Sequence, residues 1–203
     1  MAMAWYDYGP ARALRFASRL TEMMLPLKTM PHYPDFATFS KLASTADYVP
    51  VYRRVLSDVL TPVSAFHKID DGGCACLFES VVGGEKVGRY SFLAAEPFKL
   101  IEARGNLISI TDFEDVKTPR KRELAADGFT SDANPITVLR DAVHEVQVAK
   151  LAELPPFVGG AVGYAGYDTV RYVENLPNAP ADDRKLPDLS FAFYDHMIVF
   201  VND

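Results

Sequence analysis

The chain has 203 residues, of which 49% are hydrophobic, 24% charged and 12% aromatic, a composition that fits one sizeable soluble domain or one domain with an appendage. Its formal charge of -6 and its pI near 5.2 give no electrostatic reason to expect nucleic acid as a partner. No window approaches about eighteen consecutive apolar residues, so no segment reads as a membrane span, and the expected location is the cytoplasm.

Residues 1–29 stand apart from the rest. Arg12, Arg15 and Arg19 fall at helical spacing, with Leu14, Ala17 and Met24 near another side of that helix. The stretch lacks the long apolar core of a secretory signal and is poor in serine for a transit peptide. It reads as a poorly ordered extension or a start placed too early, since Met30 opens the region that looks folded. An organelle address is the alternative.

From residue 30 the elements follow in order. Asp35 stands before Phe36, Phe39 and Leu42, which recur at helical spacing, so a short helix capped by Asp35 is expected. "YVPVYRRVL" (48–56) is rich in β-branched and aromatic residues and reads as a strand. Thr61-Pro62 is a suitable N-cap and first-turn pair for a second helix carrying Val63, Phe66 and Ile69. "DDGG" (70–73) is a turn, and "CACLFES" (74–80) is expected to be a buried strand. "RYSFLAAE", "FKLIEARG" and "NLISITDF" give three more β-like segments, the last two forming a hairpin that turns at Arg104-Gly105-Asn106. Residues 114–133, with the basic run "KTPRKRE", read as a solvated loop.

Asn134-Pro135 caps a longer helix that presents Ile136, Leu139, Val143 and Val146 on one face and ends at "ELPP". "FVGGAVGYAGYD" (157–168) reads as a bent, glycine-rich strand followed by a short helix capped by Asp168. A loop from Pro177 to Pro187 leads into "LSFAFYDHMIVFVND", a long strand or a strand pair. Strands, short helices and further strands without regular βαβ alternation give an α+β fold of mixed, mainly antiparallel sheets. Asn202-Asp203 follows the apolar run "MIVFV" directly, as in a sheet strand whose next partner is missing, so a chain truncated in mid-protein is expected.

Few residues declare a chemistry. Gly83-Gly84-x-x-x-Gly88 is neither a dinucleotide fingerprint nor a Walker loop, and Gly160, Gly163 and Gly166 also miss the fingerprint spacing. Glycines in that second segment permit a bulge or close approach by another backbone, with a ligand or a second domain as the functional version. Cys74 and Cys76 read as small apolar side chains, two thiols being short of a four-ligand zinc site. His32, His67, His144 and His196 show no metal spacing; His144 is expected on a helix surface and His196 in the core. Asp182-Asp183 are loop charges, and Ser64 and Ser91 lack a nucleophile-elbow setting. No catalytic or metal-binding residues are assigned.

Glu79-Ser80 remains. A strand ending in these residues presents a carboxylate for an ammonium and a hydroxyl for a carboxylate, the two ends of an amino acid. The structural alternative is that Ser80 bonds the nearby turn and Glu79 pairs with Arg89 or Lys86 across a hairpin, and local chemistry by itself favours that alternative.

"DVLTPVSAF", "LFESVVGGEKVGRYSF", "PPFVGGAVGYAGYD" and "LPDLSFAFYDHMIVF" occur in this order and at compatible spacing. Together they resemble the N-terminal domain of anthranilate synthase component I, a chorismate-utilising enzyme family, from about Met30 to the end. The resemblance implies an N-terminal regulatory domain over 30–203, cut before the chorismate-binding half. In the whole enzyme it implies conversion of chorismate and ammonia to anthranilate and pyruvate, with Mg2+ as cofactor and a glutamine amidotransferase component II delivering ammonia. No cofactor is implied for this chain alone. The family's Leu-Leu-Glu-Ser strand corresponds to Leu77, Phe78, Glu79 and Ser80, with Phe78 in place of the commoner leucine. The resemblance thereby implies that Glu79 and Ser80 face the head group of L-tryptophan, a feedback effector. Arg89 or Tyr90 is the nearest match for a basic residue of that site, and its other wall lies beyond residue 203. The competing expectations are component I of aminodeoxychorismate synthase in the folate pathway, a stand-alone amino-acid-binding module, and a gene fragment without a function of its own.

Overall fold

The structure, a computed structural model, describes residues 2–6, 31–56, 59–79, 89–113, 119–125 and 133–201. Two compact units divide the chain. The first comprises Met1–Pro97, Gln147–Gly160 and Tyr194–Asp203, and the second Phe98–Val146 and Ala161–Phe193. Each unit is built on an antiparallel sheet carrying short helices, so the α+β class expected from the sequence is the class observed.

The first sheet has the order β2-β1-β10-β4-β3, from β1 (Ala2–Tyr6), β2 (Tyr52–Leu56), β3 (Ala75–Phe78), β4 (Tyr90–Ala95) and β10 (Ile198–Val201). β1 lies within residues 1–29, where the sequence pattern assigns no strand; its backbone pairs with β2 on one side and β10 on the other. The expected arginine-bearing helix at 12–19 lies outside the described residues. β4 alternates over its first residues, with Ser91, Leu93 and Ala95 on one face fully buried, and Ala94 on the other face is buried as well. Leu93 and Ala95 join Val55, Ala65, Ile69, Ile198 and Phe200 in the core of this unit.

Two helices belong to this unit. α1 (Phe36–Ala43) begins where expected, because the Asp35 carboxylate accepts from the Thr38 N–H at 2.8 Å and satisfies a donor that the first helical turn leaves free. That bond holds the Asp35 carboxyl below its ordinary value. α2 (Pro62–Ile69) starts with a reciprocal capping box: the Ser64 N–H donates to Thr61 Oγ1 at 3.1 Å and the Thr61 N–H donates to Ser64 Oγ at 2.9 Å. The helix packs on β3 and β4 through Ala65 and Ile69. Val63 is exposed, and tertiary contact selects the Pro62–Ala65–Ile69 stripe. β3, expected to be buried, is half-buried, since it lies at the sheet edge with β4 as its only strand neighbour among the described residues.

The second sheet has the order β7-β6-β5-β9-β8. β5 (Lys99–Arg104) and β6 (Leu107–Asp112) form the expected hairpin, with Arg104 paired to Leu107 and Gly105 at φ +52°, a value the turn needs and glycine supplies without strain. β7 (Arg120–Ala125) corrects part of the expected solvated loop: Arg120–Glu123 of the basic run lie in a strand paired along β6 and exposed throughout, while 114–118 and 126–132 lie outside the described residues. Its alternation carries no apolar face because both faces meet water, so hydropathy could not reveal it. α3 (Pro135–His144) is capped by Asn134, whose side chain accepts from the Ile136 N–H at 2.9 Å. It ends well before "ELPP". Val138, Leu139 and Ala142 face the core, whereas Ile136, Val143 and Val146 are exposed, so the expected face is rotated about the helix axis.

β8 (Gly160–Ala165) and β9 (Leu189–Tyr194) complete this sheet. The expected final strand or strand pair is therefore two strands, with β9 and β10 in different sheets. A 3-10 helix, Tyr167–Tyr172, follows β8 with Gly166 at its N-cap; Asp168, expected as the cap, lies in its first turn and pairs with Arg171 at 2.7 Å. Asp188 ties this unit together. Its Oδ2 accepts from the Tyr172 hydroxyl at 2.7 Å and from the Gly105 N–H at 2.8 Å, and its carbonyl accepts from the Gly166 N–H at 2.7 Å. Burial, with the Asp188 carboxylate beside it, pushes the Tyr172 hydroxyl pKa up.

Candidate functional site

Of the residues singled out from the sequence, Phe78, Glu79, Arg89 and Tyr90 lie at the end of the β3–β4 pair. Phe78 is the last residue of β3 and pairs with Phe92. It is 53% exposed, a large apolar side chain left open to solvent. Glu79 follows directly and is exposed. Ser80, like the whole glycine segment 81–88 including Lys86, lies outside the described residues. The chain is described again at Arg89, which is exposed, and at Tyr90, the first residue of β4, which is half-buried and pairs with Val201 of β10.

Arg89 does not make the expected alternative pairing with Glu79. Its guanidinium lies over the Tyr90 ring, 5.4 Å from the centroid, a cation–π contact. Tyr90 in turn lies 5.9 Å from Phe92, and Phe92 meets Phe157 edge-on at 5.8 Å and 82°. Residues two apart on a strand share a face, and directly paired residues on neighbouring strands do too. Tyr90, Phe92 and Phe78 therefore lie on one face of the sheet, while Glu79 comes one residue past the last pair, on the other phase of the alternation. The arrangement offers an aromatic surface, a guanidinium and, at the strand end, a carboxylate. The aromatic rings and the Arg89 guanidinium lie together, whereas Glu79 falls on the other phase of the strand alternation.

Phe92 and Phe157 were not singled out from the sequence. Phe92 was open to discovery, since period-two alternation from Tyr90 leads to it. Phe157 was not, because its contact depends on the fold bringing a distant segment beside β4.

The remaining candidates behave as structural groups. Burial pushes the Cys76 thiol up to about 11, only partly offset by a hydrogen bond with the Ala94 backbone, so Cys76 is a protonated, unreactive thiol at neutral pH. Cys74 is exposed, and both thiols lie near the Tyr194 hydroxyl, whose pKa rises chiefly through burial. His196 is 1% exposed with Nδ1 2.6 Å from the Asp195 carboxylate, in keeping with a core position. His144 is exposed on α3. The Asp182 carboxylate accepts from the Arg184 and Lys185 N–H groups within its loop. Among the described residues no group of three or more His, Cys, Asp or Glu side chains is placed to hold a metal ion. No helix among them is long and apolar enough to cross a membrane.

Gly163 answers the question of close approach. A Cβ there would lie 1.9 Å from the Ser190 carbonyl oxygen and 2.7 Å from Phe191 Cα, so the neighbouring backbone of β9 occupies the space. The bent-strand version of the expectation accounts for this glycine.

Two antiparallel sheets with short helices define an α+β chain, in which Arg89, Tyr90 and Phe92 form a cation–π and aromatic cluster at the start of β4. No family model matches the chain. Among curated proteins, anthranilate synthase component 1 of Acetivibrio thermocellus is 36% identical over 168 residues, covering 83% of this chain and 32% of its own length. Anthranilate synthase alpha subunit 2, chloroplastic, of Arabidopsis thaliana is 41% identical over 177 residues, covering 81% of this chain and 27% of its own. Among solved structures, anthranilate synthase component I from Streptococcus pneumoniae TIGR4 aligns with a TM-score of 0.43 at 24% identity, over 72% of this chain and 28% of its own. The chain is homologous to anthranilate synthase component I. It spans about a third of the length of the curated relatives it matches.

Proposed function

We propose that this chain is the N-terminal, tryptophan-sensing domain of an anthranilate synthase component I, with 30–203 as the domain. The observation that carries this reading is homology at 36% identity over 83% of the chain to a protein named anthranilate synthase component 1. In this reading the whole enzyme is cytoplasmic and turns chorismate and ammonia into anthranilate and pyruvate, with ammonia supplied by a glutamine amidotransferase component II. In this reading the chorismate site and Mg2+ belong to the rest of the polypeptide. The chain by itself is then not a catalyst.

L-tryptophan is the effector in this reading. Glu79 takes the ammonium, Ser80 and Arg89 serve the carboxylate, and Phe78 and Tyr90 border the indole. The exposed Phe78 and the Arg89–Tyr90–Phe92–Phe157 array support an aromatic zwitterion as the ligand. Inhibition is a population shift: tryptophan favours an arrangement poor for chorismate only by as much as it binds that arrangement better. The second wall of the site would come from the rest of the polypeptide.

The test is an anthranilate assay on the purified chain with chorismate, Mg2+ and ammonium, paired with calorimetry against L-tryptophan. The expected result is no anthranilate, and affinity for tryptophan no tighter than about millimolar, near -4 kcal/mol of binding free energy. Anthranilate formation would overturn the non-catalytic reading. Binding well below millimolar would favour a stand-alone amino-acid-binding module over half a site. Aminodeoxychorismate synthase component I is the remaining alternative, but the curated relatives reported above bear the anthranilate synthase name.

A further inference from the structure

We draw no further inference here: the strongest candidate, the uncharged edge strand β8 with its own exposed Tyr164 and exposed Tyr167 in the following 3-10 helix, is an apolar surface for which nothing in the structure shows what covers it.

Discussion

Gly163 has no space for even a methyl group, since the position a Cβ would take lies 1.9 Å from backbone oxygen of Ser190. Backbone cannot rotate aside as a flexible side chain can, so Gly163→Ala should destabilise the fold by about 3 kcal/mol or more in urea unfolding. An unchanged midpoint would mean that β8 and β9 lie farther apart. The two cysteines give a second prediction. Under native conditions a thiol reagent should titrate exposed Cys74 quickly and Cys76 only on unfolding, so Cys74→Ser should abolish the fast phase. The pH dependence follows in sign. Cys76 titrates at 9.0 when unperturbed and at about 11 when folded, so its contribution to stability is full below pH 9 and declines as pH rises from there to about 11. Asp35 acts in the opposite direction, its contribution being present above its ordinary value of 3.8 and lost in more acid solution. At this scale the helix caps were legible in the sequence, because Asp35, Thr61 and Asn134 bond donors two or three residues away. The reason for Gly163 was not, because its obstacle lies on another strand.

The elements divide along the same line. Hydrophobic periodicity located α1, α2, α3 and the β5–β6 hairpin, each with a local start or turn signal. It misjudged which side of α3 faces the core, because short helices carry apolar residues on more than one side and packing makes the choice. It missed β7 altogether. Arg120, Lys121, Arg122 and Glu123 on that strand discourage pairing with another sheet edge, a device suited to an exposed edge strand. Replacing Lys121 and Arg122 together by valine should therefore promote concentration-dependent association visible in light scattering, and a monodisperse variant would remove that role. Asp188 holds the 3-10 helix and the Gly105 turn by charge-assisted hydrogen bonds. Tyr172→Phe removes one of them and should cost about 1–2 kcal/mol of stability, measured by thermal unfolding. A cost near zero would show that solvent replaces the bond without penalty.

At the scale of the molecule, the sequence motifs led to the family, and homology over about 80% of the chain supports it. The candidate site was legible in part. Phe78, Glu79, Arg89 and Tyr90 lie at the end of one strand pair, but the strand alternation that separates Glu79 from Phe78, and the contribution of Phe157, required the fold. The central claim is that these residues sense tryptophan on behalf of a catalytic remainder. It is tested most directly by exchanging the matched third of the Acetivibrio thermocellus relative for this chain and measuring tryptophan inhibition of anthranilate production, with and without Glu79→Ala. Losing one charge-assisted contact to the ammonium should raise the half-inhibitory concentration at least about tenfold, the equivalent of about 1.4 kcal/mol, while uninhibited activity is kept. Equal inhibition of the two chimaeras would contradict the assignment of Glu79 and, with it, the sensing role proposed for this chain.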